Sequence, residues 1–537
     1  MERCPSGLRC TPGTRVWIIV HRGFESRSLR IIFMKKLCKI LSLIVLGISY
    51  TLNLDSVAYK KAITSDKSVL IPNYDILPSN FEIEYLDKRR KFFIDFQLSY
   101  LENNNDFRVN FSPILNLKNL KFKINLDYAF TSDSSNYQNI NDPLSVLESI
   151  EYLNYNILDG KLNLFLGEIK NFTTGHGYLV NNYNNRLTYP IKRNVGFLAS
   201  LSNTNKSVKY DLFISNLRDF SENAGLVSNK LSFLFSNDFP LNFGFSHVTD
   251  LNQFSKYSEL ELDYIRRVDA FQFDFTFPVI KNAFENLYLI GELVGIDYPE
   301  KRFYIRVDDS QFTNDKKSRN GIWGIAFPGI IYENKNLVFK IAANYNSAIY
   351  APYYFNSTYD FENIRFRNYN IQENETLYSD EADLLSNYSN SDSTIFIPKD
   401  MYGMINQQEN TYPTYGFSTK VDLKINKDNN LRIEYSYFKN ISEIDDSFYN
   451  TFTFYCSTFN KILFFPTKFD IYLSKNFFKI SESYTYDENL TYGLSFNALI
   501  YKSVSFIGDL RHTFCDMNYD GKIDLVPYVN IGLNYNY

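Results

Sequence analysis

No run of uncharged apolar residues in this 537-residue chain approaches the length needed to cross a bilayer as a helix, and the mean hydropathy is −0.28. That excludes a bundle of membrane helices, each of which needs about 20 consecutive apolar residues. Cysteine is scarce: of five, Cys4, Cys10 and Cys38 fall near the start, leaving Cys456 and Cys515. Two isolated cysteines allow one disulfide at most and make no framework. There are four histidines, and no H-E-x-x-H, paired-cysteine motif, phosphate loop or Ser-centred nucleophile elbow. No catalytic constellation is readable, so an enzyme is not expected. An excess of basic charge is also missing, with 56 Lys and Arg against 60 Asp and Glu. A nucleic-acid binder normally shows a basic footprint, so no nucleic-acid partner is expected.

Aromatic residues, in contrast, are abundant: 43 Tyr and 48 Phe. Many aromatics at modest mean hydropathy fit strands that alternate lipid-facing and water-facing residues. The N-terminal region divides in three. Residues 1–33 read as an over-called start: Phe24-Glu25-Ser26 resembles a translated transfer-RNA gene arm. Residues 34–58 form a secretory signal, with basic Lys35, Lys36 and Lys39, an apolar Leu41 to Ile48 and small residues at Ser56 and Ala58. Residues 59–90 are expected to be a periplasmic segment, too short for a globular plug domain. Without residues 1–58, which hold nine basic and three acidic residues, the net charge is −10.

From residue 91 onward, apolar and polar residues alternate. Leu120, Phe122, Ile124, Leu126 and Tyr128 are interleaved with Lys121, Lys123, Asn125 and Asp127; Phe271, Phe273, Phe275 and Phe277 show the same period, as do Leu337, Phe339 and Ile341. Successive side chains of a strand point to opposite faces, so this period paints one face apolar. The connections alternate as well. Asn116 to Asn119 is short and Thr131 to Val146 long; Asp159-Gly160 is tight and Lys170 to Arg193 long; Tyr332 to Asn336 is short and Ser347 to Tyr412 very long. Short turns at one end and long loops at the other are the habit of transmembrane barrels. The expected fold is all-β: a large transmembrane antiparallel up-and-down barrel of about 18–22 strands.

The chain ends with Val529, Ile531, Leu533, Tyr535 and Tyr537 alternating with Asn530, Gly532, Asn534 and Asn536. This pattern resembles the C-terminal signature of bacterial outer-membrane proteins, whose final aromatic strand is read by the barrel assembly machinery. The resemblance implies an outer-membrane location in a Gram-negative-type bacterium, with outer-membrane lipid and that machinery as partners.

Three segments interrupt the pattern. Within 171–193, His176 lies between Gly175 and Gly177, and Arg186, Lys192 and Arg193 follow. These residues line a constriction on one reading; on the other the segment is an ordinary structured loop. In 347–412 an aromatic stretch from Tyr350 to Phe366 precedes an acidic one with Glu373, Glu375, Asp380, Glu381 and Asp383. A loop this long either folds into the lumen or forms a surface lid, or it faces outward without a ligand. Asp516, Asn518, Asp520 and Asp524, with Gly521, have part of the spacing of a calcium loop. Pro527 stands where a bidentate Glu is wanted, so an Asp-Gly hairpin turn is the simpler reading and no cofactor is assigned. The polar strand positions Lys121, Lys123, Asp127, Lys209, Asp211, Lys420 and Asp422 are mixed in sign. Together these features give a porin-like channel for small polar solutes of unknown identity as the leading function. The alternative is an adhesin or receptor that uses the barrel to anchor its loops.

Overall fold

The computed structural model describes residues 92–536 apart from 102–105, 118, 131–146, 170, 186–193, 206, 236–240, 254–264, 299–303, 308–309, 314–321, 348–349, 363, 370–392, 400–412, 426–428, 442–447, 463–464, 479–489, 502–503 and 516–523. The expected signal and periplasmic segments, and Tyr537, lie outside the described residues.

Period-two alternation is realised as one antiparallel sheet of 21 strands. Leu120–Ile124 and Leu126–Phe130 lie against the same neighbour, Asp106–Asn116, and are two halves of one stave interrupted at Asn125. The described sheet therefore has 20 staves. Each pairs with the stave before and after it in the chain. The last strand, Asp524–Asn536, pairs with the first, Phe92–Leu101, from Asp95↔Asn536 to Leu101↔Asn530. The sheet thus meets itself, and the up-and-down barrel expected from the sequence is the fold. Closure leaves no edge strand with unpaired backbone groups, which lipid would not satisfy.

The two faces differ as the pattern requires. On Val268–Lys281, Phe271 and Phe273 are 49% and 41% exposed, while Gln272 and Asp274 between them are 1% and 3% exposed. Across the neighbouring pairs, Phe245 and Leu293 share the outer face with these phenylalanines, and Ser246 and Glu292 share the inner one. Apolar side chains out and polar side chains in is the arrangement of a barrel in lipid, opposite to that of a soluble sandwich. Near the end that carries the long connections, Trp323, Tyr345 and Tyr415 form an outward row on three successive staves. Aromatic rings of this kind mark a bilayer interface.

The connections keep their parity. Short ones at 117–119, 282–284, 335–336, 463–464 and 502–503 lie at one end; 131–149, 168–195, 251–267, 298–321 and 347–413 lie at the other. The expectation from sequence puts the first set in the periplasm and the second outside. Boundaries shift by a few residues: the short connection expected at Tyr332 to Asn336 narrows to 335–336, because Ile322–Asn334 stays paired to its end. A Cys456–Cys515 disulfide does not form. Cys456 is a buried free thiol on Phe448–Ile462, and two whole strands separate it from Val504–Cys515. Three strand spacings come to roughly 14 Å, about twice the Cα separation a disulfide tolerates.

Candidate functional site in the barrel lumen

Two of the external connections turn back onto the inner wall. The first joins Leu162–Gly167 to Gly196–Ser202. Phe172 and Tyr183 bond to each other through both backbone groups, at 2.9 and 2.8 Å, and pinch 172–183 into a lobe. The tip turns at Gly175 and Gly177, with φ of +54° and +87°. Glycine adopts such angles without steric cost. Gly175 is needed for space too: a Cβ there would collide with Nε2 of Gln272.

The wall supplies the seat. Glu292 takes the backbone N–H of His176 at 3.0 Å on Oε2 and that of Tyr178 at 3.2 Å on Oε1. Thr174 donates to Oε1 of Gln272 at 2.7 Å, and the ammonium of Lys340 donates to the His176 carbonyl. The His176 ring is 2.9 Å from the Phe275 carbonyl. Burial lowers its pKa to about 4, so the imidazole is neutral and donates its Nε2 proton there. At the far side of the lobe, the amides of Asn181 and Asn182 reach the Glu434 carboxylate at 3.1 Å, and Lys420 pairs with the same group at 3.0 Å. Charge-assisted bonds of this type are about twice as strong as neutral ones.

The second connection, 347–413, brings an aromatic segment against the first. Val180–Asn181 and Phe355–Asn356 form a short parallel pair. Tyr353 and Phe355 donate their backbone N–H to the carbonyls of Tyr178 and Leu179 at 2.9 and 3.1 Å. The ring of Tyr350 lies on the wall at Gly324, where a Cβ would be 2.5 Å from the ring. Tyr354, Phe355 and Tyr359 are wholly buried and pack on one another with centroids 4.9 to 5.8 Å apart. Ordering a residue costs about 1–2 kcal/mol, more than one hydrogen bond usually returns. Burying a large side chain contributes about 1.5–3 kcal/mol, so the rings are what hold this segment in place.

Burial also keeps the tyrosyl hydroxyls protonated. It raises Tyr183, Tyr350 and Tyr359 well above the ordinary phenol value, and Tyr353 to about 12. They therefore donate: Tyr183 to Asp360 at 3.0 Å, Tyr350 to the Tyr178 carbonyl at 3.2 Å, and Tyr359 to Asp250 at 2.6 Å. A third connection contributes Gln253, whose amide meets the hydroxyls of Tyr354 and Tyr359 at 3.1 and 2.9 Å. Lys399 is buried against the same two rings and donates to Asn356 Oδ1 at 3.0 Å.

The rest of the described lumen wall carries opposite charges side by side. Lys209 lies 3.0 Å from Asp211, Lys230 3.0 Å from Asp274, and Lys468 3.3 Å from Asp470. Arg432 is bonded to Asp422 on the neighbouring strand. Outside the lumen contacts, Tyr304–Val307, Ser310–Thr313, Ile364–Tyr369 and Ser393–Pro398 join the connections 298–321 and 347–413 in a separate four-stranded sheet.

Of the residues singled out from sequence, His176 is buried between the lobe and the wall, with its backbone N–H on Glu292 and its ring on the Phe275 carbonyl. Arg186, Lys192, Arg193, Glu373, Glu375, Asp380, Glu381, Asp516, Asn518 and Asp520 lie outside the described residues. Asp524 opens the last strand, opposite Cys515, where the described pairing of that hairpin ends. Among the described residues no group of three or more His, Cys, Asp or Glu side chains could hold a metal ion. Sequence reasoning missed the seat itself. Glu292 did leave a signal, since it is the one charged residue in the interior of Glu285–Asp297.

No protein-family model and no curated protein matches the chain. Solved structures do match. The FrpB iron transporter from Neisseria meningitidis (F3-3 variant) aligns over 86% of this chain and 83% of its own, with 10% identity and a TM-score of 0.35. OccK11 (OpdR) from Pseudomonas aeruginosa aligns over 83% and 95%, with 8% identity and a TM-score of 0.34. Wzi, described as a carbohydrate-binding β-barrel involved in group 1 capsule assembly in Escherichia coli, aligns over 85% and 86%, with 10% identity and a TM-score of 0.31. The chain's own closed antiparallel ring, outward apolar and aromatic side chains and polar inner wall make it a β-barrel of the transmembrane kind.

Proposed function

We propose that the protein is a porin-like channel whose lumen is narrowed by the lobe 172–183 and the segment 350–362. The observation that carries this reading is the seat of the lobe on Glu292. A wall carboxylate that takes two backbone N–H groups fixes a connection inside the lumen, where it sets the width of passage without filling a surface role. Barrels of 16–18 strands already leave an aqueous channel, and this one has 20 staves in its described sheet. The polar, charge-paired wall suits water and small polar solutes.

The test is planar-bilayer conductance of the purified protein and of a variant lacking 350–362, each first checked for heat-modifiable gel migration. Discrete conductance that increases in the deletion variant supports the channel. A correctly assembled barrel that conducts in neither form removes it. The four-stranded sheet built from 298–321 and 347–413 favours a second reading, a surface-exposed binding protein. Loss of cell or ligand binding on deleting 364–398, with no conductance in the intact protein, would select that reading.

A further inference from the structure

Building on the channel reading, we infer that the lumen is neutral by local charge pairing, and that its solutes are neutral hydrophilic molecules such as sugars, sorted by size and hydrogen bonding rather than by charge. The pairs are the first ground. Lys230 and Asp274 are 3.0 Å apart, as are Lys420 and Glu434, and both partners of each pair stand on the same stretch of wall. The potential of such a pair falls with the square of distance, and at physiological salt the Debye length of about 8 Å removes most of what is left. A charge-selective passage needs the opposite arrangement, one sign gathered along a wall.

The second ground is how the seated lobe uses the charges beneath it. Glu292 is covered by the N–H groups of His176 and Tyr178, and Lys340 is turned to the His176 carbonyl. Glu434 is covered by two side-chain amides. Behind the lobe, Asp250 and Asp360 accept tyrosyl hydroxyls. What the lobe presents in their place, partly exposed, is Asn181, Asn182 and Asn184. With the NH₂ groups of Asn181 and Asn182 on Glu434, their amide oxygens are left to accept solute hydroxyls, and an uncharged amide holds neither ion.

The experiment is reversal-potential measurement on the full-length protein in a KCl gradient, with liposome swelling in a neutral pentose, lysine and glutamate. A lumen of one sign raises counter-ion concentration by tenfold or more. Here the K⁺ to Cl⁻ permeability ratio is expected within about twofold of one, with the pentose entering at least as fast as either amino acid. Lys420→Met, which removes the ammonium beside Glu434, should shift the ratio toward K⁺, and Glu434→Gln toward Cl⁻. Clear conductance with a tenfold or greater ion preference in the unmodified protein overturns neutrality alone. Absence of any conductance overturns the channel reading and this inference with it.

Discussion

The Glu292 carboxylate accepts the backbone N–H of His176 at 3.0 Å across 116 residues of sequence, and so ties an external connection to a distant part of the barrel wall. Because the same carboxylate also takes the N–H of Tyr178, it acts as a two-point clamp on the Gly175–Gly177 turn.

Glu292→Gln should loosen that clamp. A hydrogen bond contributes about 0.5–1.5 kcal/mol net, and an amide keeps one acceptor where two oxygens served. The expected outcome in single-channel recording is larger mean conductance with more frequent fluctuation, while the assembled barrel migrates unchanged on a gel. Quiet, unaltered traces would show that Glu292 does not hold the lobe.

Gly175→Ala should displace the lobe, because the new Cβ meets Gln272 and the backbone angle is strained as well. Gly160→Ala is the control: φ is +82° but nothing lies within 4 Å, so only the backbone cost of about 1–2 kcal/mol applies. Limited trypsin digestion should cleave after the basic residues of 186–193 faster in the first variant than in the second.

Acid should release the lobe through His176. Its docked pKa is about 4, against about 6.5 when free in water. Above pH 6.5 both forms are neutral and docking is at full strength. As the pH falls from 6.5 to 4 the free ring takes up a proton that the docked ring refuses, so docking weakens, by about 3 kcal/mol in all. Trypsin sensitivity measured against pH should rise over that window and flatten below it. His176→Gln should lack the slope; a slope that persists in the variant would assign it to another group.

The outer face gives a fourth test. Phe273→Arg places a charge on a lipid-facing position of the strand, at a cost of about 2–4 kcal/mol if it lies near the bilayer midplane. Phe284→Arg, in the short turn 282–284 where the ring is 86% exposed, should cost about 0–1 kcal/mol. The urea concentration at which the heat-modifiable band is lost should fall for the first and hold for the second.

The sequence by itself determined the strands and their two faces. Phe271, Phe273, Phe275 and Phe277 are put on one apolar face by their spacing alone, because the period of two is a local property of extended backbone. The alternation of short and long connections needs only counting. The tip Gly175-His176-Gly177 stands out as a turn for the same local reason, but its role does not. Only closure of the barrel brings Glu292 under it and Glu434 under Asn182, which is 252 residues away along the chain. Whether a connection turns in or out depends on such partners across the ring. A polar residue on a strand looks the same in sequence whether it faces water or a folded loop, and tertiary contact alone decided that Glu292 is a clamp and that His176 is buried between the lobe and the wall.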